Sequence, residues 1–247
     1  MFVKVLNHLK NKKKLPVMVI VFWLYALLLL IFHGIRIANT SEMSIYCNKN
    51  SLDLYTVKYY KNLETLVLFN ASDENDFSRL SSNSVTKLHI FDSNLSNLEF
   101  VSRFPCLTEI SIINSNIDLT GVNNQSVKEL YLWTCGFNGS LNLDGLSSLE
   151  TVNIYQTESI NLNSFTKLNN LTELYLSNIN RISNSCESEH ISSVRKLTVY
   201  GPETCFDISM FEKMENLESI TISAELLDSA LYNSLVERGV EVIIVNN

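Results

Sequence analysis

Nine stretches of the chain repeat one arrangement: an apolar residue, two of any kind, an apolar residue, one of any kind, and a third apolar residue. The arrangement opens at Leu63, Val85, Leu107, Val127, Leu149, Leu171, Val194, Leu217 and Val240. The intervals are 22, 22, 20, 22, 22, 23, 23 and 23 residues. A period this regular is the mark of a solenoid. A single such unit cannot bury its apolar edge and must stack on its neighbours.

Two shorter periods lie inside each unit. Counting the opening apolar residue as position 1, positions 4 and 6 alternate and point inward from a short strand. The rest of the unit is apolar every third residue, as in Leu95, Leu98, Val101 and Phe104, or Leu162, Phe165 and Leu168, or Ile208, Phe211 and Met214. That spacing suits a 3₁₀ or similarly tight helical segment. Leu54, Val57 and Tyr60 lead into Leu63 in the same way, so a partial unit comes first, with Met43–Cys47 placed to supply its strand. Each apolar side chain buried contributes roughly 1.5–3 kcal/mol, most of it offset by chain entropy.

The pattern resembles the leucine-rich-repeat family in its short 22-residue class, as in bacterial internalins, over about residues 44–247. The clearest unit is VTKLHIFDSNLSNLEFVSRFPC, which opens at Val85. The resemblance implies an α/β fold: a right-handed, curved solenoid with a parallel sheet on its concave side. It departs from the family at position 9, where asparagine is usual. That position holds Ala71, Ser93, Ser115, Cys135, Thr157, Ile179, Pro202 and Glu225. Serine, threonine and cysteine still donate one hydrogen bond to a turn. The last three residues cannot extend that ladder, so less regular turns are expected in units six to eight.

The N-terminus differs from the repeats. Leu15 to Phe32 carry no charge, and a helix extended to Ile35 would be about 31 Å long, enough to cross a bilayer core. Lys12, Lys13 and Lys14 precede it and favour a cytoplasmic N-terminus. Pro16 falls in the first turn, where its missing N–H is not needed. The expected organisation is a basic cytoplasmic tail (1–14), a transmembrane signal-anchor helix (15–36), a linker and N-terminal cap (37–62) and the repeat domain (63–247), facing the periplasm or exterior. A cleaved signal peptide and a buried soluble helix are the rivals. Cleavage after Ala38 would put Arg36 at −3, and cleavage after Gly34 would put Phe32 there, neither of them small. Residues 1–38 hold six bases and no acid, out of 19 bases and 26 acids in all. The remainder is therefore strongly acidic, which argues against nucleic acid as a partner.

Positions 5 and 7 point away from the solenoid core. Position 7 is bulky in units one to five, as Phe69, Phe91, Ile113, Trp133 and Tyr155, and again at Tyr200. His89, Tyr131 and Tyr175 flank that row at position 5. Contiguous exposed apolar surface marks interaction sites, and aromatic residues dominate their centres. Glu64, Asp92, Glu109, Glu129, Glu150 and Glu173 border the row and would select a basic partner. The expectation is recognition of a protein or peptide partner, centred on Trp133 and Tyr155. Aromatic residues are also ordinary strand formers, and the row could instead pack against the N-terminal segment. The alternative function is a structural or scaffolding subunit of an envelope complex.

Catalysis, metals and cofactors have no support. The chain lacks H-E-x-x-H, G-x-S-x-G, a phosphate-binding P-loop and G-x-G-x-x-G. Its histidines are His8, His33, His89 and His190; His89 lies on one face with Asp92, but no nucleophile accompanies them. The five cysteines form no C-x-x-C pair. Cys135 reads as a buried free thiol, and Cys186 with Cys205 as a candidate disulfide if the domain is extracytoplasmic. Six N-x-S/T sequons, at Asn39, Asn70, Asn94, Asn124, Asn138 and Asn170, read as chance matches in an Asn- and Ser-rich chain. At the far end Leu226, Leu227, Ala230, Leu231 and Leu235 have helical spacing, with Gly239 as a stop and Val240–Val245 as a last strand. Nothing after that strand covers its edge, which invites pairing with another chain unless its shortness protects it.

Overall fold

In the computed structural model, the described residues are 25–28, 39–47, 52–137, 141–183, 191–201 and 214–246. The alternating positions of each unit form one strand, and the strands pair in sequence order. In chain order the strands are β1 (Glu42–Tyr46), β2 (Thr65–Phe69), β3 (Lys87–Phe91), β4 (Asn94–Leu95), β5 (Glu109–Ile113), β6 (Asn116–Ile117), β7 (Glu129–Trp133) and β8 (Gly136–Phe137). They continue as β9 (Thr151–Tyr155), β10 (Ser159–Asn161), β11 (Glu173–Ser177), β12 (Arg181–Ser183), β13 (Lys196–Tyr200), β14 (Ser219–Ser223) and β15 (Glu241–Val245). Ten of them make a single sheet, in the order β1-β2-β3-β5-β7-β9-β11-β13-β14-β15, and every pair is parallel. The two-residue strands β4, β6 and β8 form a second parallel row, and β10 pairs with β12.

The register keeps each unit position opposite its counterpart. Leu66, Leu88, Ile110, Leu130, Val152, Leu174, Leu197 and Ile220 stand side by side at position 4, all essentially inaccessible to solvent. Position 6 repeats this from Leu68 to Ile222. These residues and the apolar tails make one continuous core. The expected 3₁₀ segments occur at Leu52–Tyr55, Val57–Tyr59, Glu99–Arg103 and Leu162–Phe165. The described tails of units one, three and four bury the same apolar residues through turns and bends instead.

Each strand leaves the sheet through a left-handed residue at position 8. Asn70, Asp92, Asn114, Thr134, Gln156 and Asn178 have φ between 50° and 54°. The N–H of each donates to the position-7 carbonyl of the next unit, at 2.8–3.1 Å. Asparagine and aspartate tolerate this conformation, whereas β-branched Thr134 is a true outlier. Position 9 then turns inward. The Ser93 hydroxyl donates to the Phe91 carbonyl at 2.7 Å and accepts the Ala71 N–H at 2.9 Å. Ser115 repeats both bonds, to Ile113 and from Ser93. Cys135 Sγ donates to Ile112 at 3.2 Å, and the Thr157 hydroxyl to Cys135 at 2.8 Å. The small polar residues at position 9 therefore do serve the turns.

Unit six departs from expectation. Ile179 offers no hydrogen bond, yet Asn178 keeps φ at 51° and its N–H bonds Tyr200 at 2.8 Å. Ile179 is buried among the core residues. Position 8 sets the backbone path, so an apolar residue at position 9 adds to the core without disturbing the turn. Unit eight is irregular as expected, with a 3₁₀ segment at Ala224–Leu226. Of the unit-seven turn only Gly201 is described, with φ 148°.

The short third unit brings neighbouring loops together. Its Asn124 side chain is buried, and Nδ2 donates to the carbonyls of Val101 and Phe104 at 2.9 and 3.0 Å. The Asn124 N–H donates to Gly145 in unit four at 3.0 Å. A side chain at Gly145 would meet that loop at once, since a Cβ would lie 1.6 Å from the Val122 carbonyl oxygen.

Both ends of the sheet stay open among the described residues. β1 begins it, as the Met43–Cys47 stretch anticipates. At the other end a helix, Ser229–Glu237, is capped by Asp228, whose carboxylate accepts the Leu231 N–H at 2.7 Å. Gly239, at φ 77°, turns the chain into β15, where Ile243 and Ile244 are 45% and 49% exposed. Of the segment 15–36, only Tyr25–Leu28 are described, as helix. Among the described residues no helix is long and apolar enough to cross a membrane. The expected span over 15–36 and the Cys186–Cys205 disulfide both lie outside the described residues.

Two substitutions test this packing. Asn124→Ala removes the second donor from the Val101 and Phe104 carbonyls, which keep the N–H groups of Phe104 and Leu107, and the acceptor from the Ser126 N–H, and should cost about 1–3 kcal/mol. Gly145→Ala should cost roughly 1–3 kcal/mol or more by forcing the Val122 backbone aside. Urea denaturation should show a lowered midpoint for each, and an unchanged midpoint for Gly145→Ala would contradict the close approach.

Candidate functional site

The register that aligns the core also aligns the opposite, open face. Phe69, Phe91, Ile113, Trp133, Tyr155, Ser177 and Tyr200 are neighbours at position 7. His89, Ser111, Tyr131, Asn153 and Tyr175 are neighbours at position 5. All nine residues expected to bind a partner therefore stand on this one face. Eight of them are half-buried by their neighbours, and Trp133 is 50% exposed.

The rings form two contacting runs, the first stacked and the second tilted to edge-on. In the first, Tyr46 stacks on Phe69 with centroids 4.7 Å apart, and Phe69 on Phe91 at 5.0 Å, with His89 edge-on to Phe91. In the second, Trp133 meets Tyr155 at 5.6 Å, Tyr155 meets Tyr175 at 4.7 Å, and Tyr175 meets Tyr200 at 5.5 Å. The second run steps from position 7 to position 5 and back, because Ser177 interrupts position 7 in unit six. Tyr46 joins this face although the nine-unit pattern does not include it. It occupies position 7 of the partial first unit, so extending the count one strand back to Met43–Cys47 would have found it.

Polar groups hold several rings in place. The Trp133 indole N–H donates to Gln156 Oε1 at 2.9 Å, and the Thr134 hydroxyl donates to the same oxygen at 3.2 Å. The Tyr131 hydroxyl donates to Glu129 at 2.9 Å. Burial, followed by Glu129, pushes the Tyr131 hydroxyl up to about 12, so it stays protonated as a donor. Burial and the neighbouring Tyr155 raise Tyr175 in the same direction.

Charges line the start of the strands. Lys87 reaches Glu109 at 2.6 Å, and Lys196 reaches Glu173 at 2.8 Å. Lys128 pairs with Glu150, and Arg195 with Glu218. Exposed pairs of this kind contribute little to stability but fix the local field. His89 Nε2 lies 3.3 Å from Glu109. Its carboxylate neighbour is therefore Glu109 on the next strand, whereas Asp92 sits in the turn and accepts from Asn114 Nδ2 at 2.5 Å.

No family model matches the chain, and no curated protein matches it either. Solved structures do match. Internalin C2 of Listeria monocytogenes superimposes with a TM-score of 0.54 at 20% identity, over 76% of this chain and 82% of that one. A second Listeria monocytogenes internalin, inlF, gives 0.54 at 19% identity, over 87% of this chain and 63% of that one. The fold is an internalin-like leucine-rich-repeat solenoid.

Within this solenoid the described residues include no group of three or more His, Cys, Asp and Glu able to hold a metal ion. Cys47 and Cys135 are buried free thiols, each pushed up to about 11 by burial, and Cys106 is free and exposed. A thiol so raised is a poor nucleophile at neutral pH. Asn124, one of the six sequons, is buried with its side chain committed to hydrogen bonds, so its match is incidental.

The Gln156 anchor is testable. Gln156→Asn keeps a residue suited to the left-handed turn but draws the acceptor back from Trp133. In a Trp23→Phe background, fluorescence anisotropy decay should show a more mobile Trp133 ring. Stability should change by about 1 kcal/mol or less. An unaltered decay would show that contact with Tyr155 alone fixes the indole.

Proposed function

We propose that the chain is a recognition module that binds a protein or peptide partner on the open, concave face of its repeat domain, tethered through residues 15–36 with the repeats outside the cytoplasm. One observation carries the reading. Two runs of contacting aromatic rings, from Tyr46 to Phe91 and from Trp133 to Tyr200, are held in register across the face by the sheet itself. A pre-ordered aromatic surface loses little side-chain entropy on binding, which is what a hot spot requires. The uncharged run from Leu15 to Phe32, with lysines before it, supports the tether. The likeness to internalins agrees with a repeat domain displayed at a cell surface.

A structural role has one observation in its favour, the open strand β15 with its exposed Ile243 and Ile244. Crosslinked pull-down with the intact protein separates the two readings. The doubly substituted Trp133→Ala/Tyr155→Ala chain should lose the crosslinked partner band while keeping its circular dichroism. Ile243→Lys/Ile244→Lys should keep the band. The opposite pattern would assign function to the edge.

A further inference from the structure

The two aromatic runs are separated by a gap, and the gap has a shape. In unit three, positions 5 and 7 are Ser111 and Ile113, smaller than their neighbours. Their size leaves a hollow of about 330 Å³ between β5, β7 and β9, lined by Glu109, Ser111, Ile113, Tyr131, Trp133 and Tyr155. That is the lower end of the range typical of small-ligand sites. Three of its six walls are aromatic. Trp133 is pinned by Gln156 and Tyr131 by Glu129, so two of those rings are set before anything binds.

The hollow is also negatively charged. Glu109 lines it, and Glu129 stands beside Glu109 in register on β7. Lys87 bonds Glu109. Glu129 accepts the uncharged Tyr131 hydroxyl, and the base that feels its charge is the same Lys87, already bonded to Glu109. Two carboxylates thus share one lysine, with the His89 ring against Glu109, which leaves negative charge beside the aromatic hollow. An anion would be repelled. A neutral apolar group would fill the space but desolvate that charge without compensation. A cation meets both the ring quadrupoles and the carboxylate. A planar guanidinium suits the site better than an ammonium, because it stacks on an indole and still directs N–H groups sideways to an acid.

We propose that this hollow is the anchor pocket for an arginine side chain of the partner, with Trp133 as its platform and Glu129 as its counter-charge. The assignment rests on the reading of the open face as the partner-binding face, and it names what that face selects.

The test uses the full chain carrying Trp23→Phe, which leaves Trp133 as its only tryptophan. N-acetyl-arginine-N-methylamide is titrated against Trp133 fluorescence, beside the uncharged citrulline analogue and the neutral disaccharide cellobiose. The arginine probe should bind about five- to thirtyfold more tightly than citrulline. Glu129→Gln, an exposed change that the fold tolerates, should reduce that preference by about three- to tenfold, and raised ionic strength should weaken binding. Equal binding of arginine and citrulline would overturn the proposal, as would quenching by cellobiose alone or by none of the probes. Partner capture by Phe91→Ala and Tyr200→Ala chains, both outside the hollow, is measured in parallel. If those variants lose capture while the probes fail to discriminate, the pocket assignment falls and the binding face stands. If the arginine probe discriminates while capture ignores every open-face change, the binding-face reading falls.

Discussion

A solenoid of short units must turn its chain out of the sheet once per unit without burying unsatisfied backbone groups, and here that is done at positions 8 and 9. The left-handed residue at position 8 aims its N–H at the next unit's strand end, from Asn70 through Asn178. The hydroxyls of Ser93 and Ser115 then satisfy the buried N–H groups of Ala71 and Ser93, and Cys135 and Thr157 the buried carbonyls of Ile112 and Cys135. Because each turn is bonded to the next, a unit cannot slide against its neighbour. A slip of one residue would exchange the core face for the open face along a whole strand.

The open face inherits its order from that constraint. Rings at equal unit positions are brought side by side by strand pairing, at the spacing of neighbouring parallel strands, which is the range in which aromatic rings stack. The same turns supply fittings for the face. Gln156 occupies a left-handed turn position and also holds the Trp133 indole. The interruptions matter as much as the rings. Ser177 diverts the aromatic run through Tyr175, while Ser111 and Ile113 open the hollow that divides the face.

The repeat made much of this legible in advance. Positions 4 and 6 in the core, 5 and 7 on the open face, the 3₁₀ tails around Val101 and Leu162 and the terminal helix with its Gly239 stop all follow from period and pattern. Other features were hidden because they depend on distances between units. The pairing of His89 with Glu109 rather than Asp92 is set by strand register, and sequence proximity pointed the wrong way. The regular turn at Ile179 is not legible from its side chain, because the backbone of Asn178 decides the path there. The close approach at Gly145 follows from a unit two residues shorter than those before it, but which loop it touches is a matter of three dimensions.

Hydroxyl-radical footprinting of the intact protein, free and crosslinked to its captured partner, reads the open face itself, since aromatic side chains are efficient targets and report their own exposure. A partner seated on the open face lowers the oxidation of Trp133, Tyr155 and Tyr175, while Tyr59 and Tyr232, which are exposed but off that face, remain as reactive as before. Protection of Tyr232 and the β15 edge with Trp133 unchanged would contradict that seating.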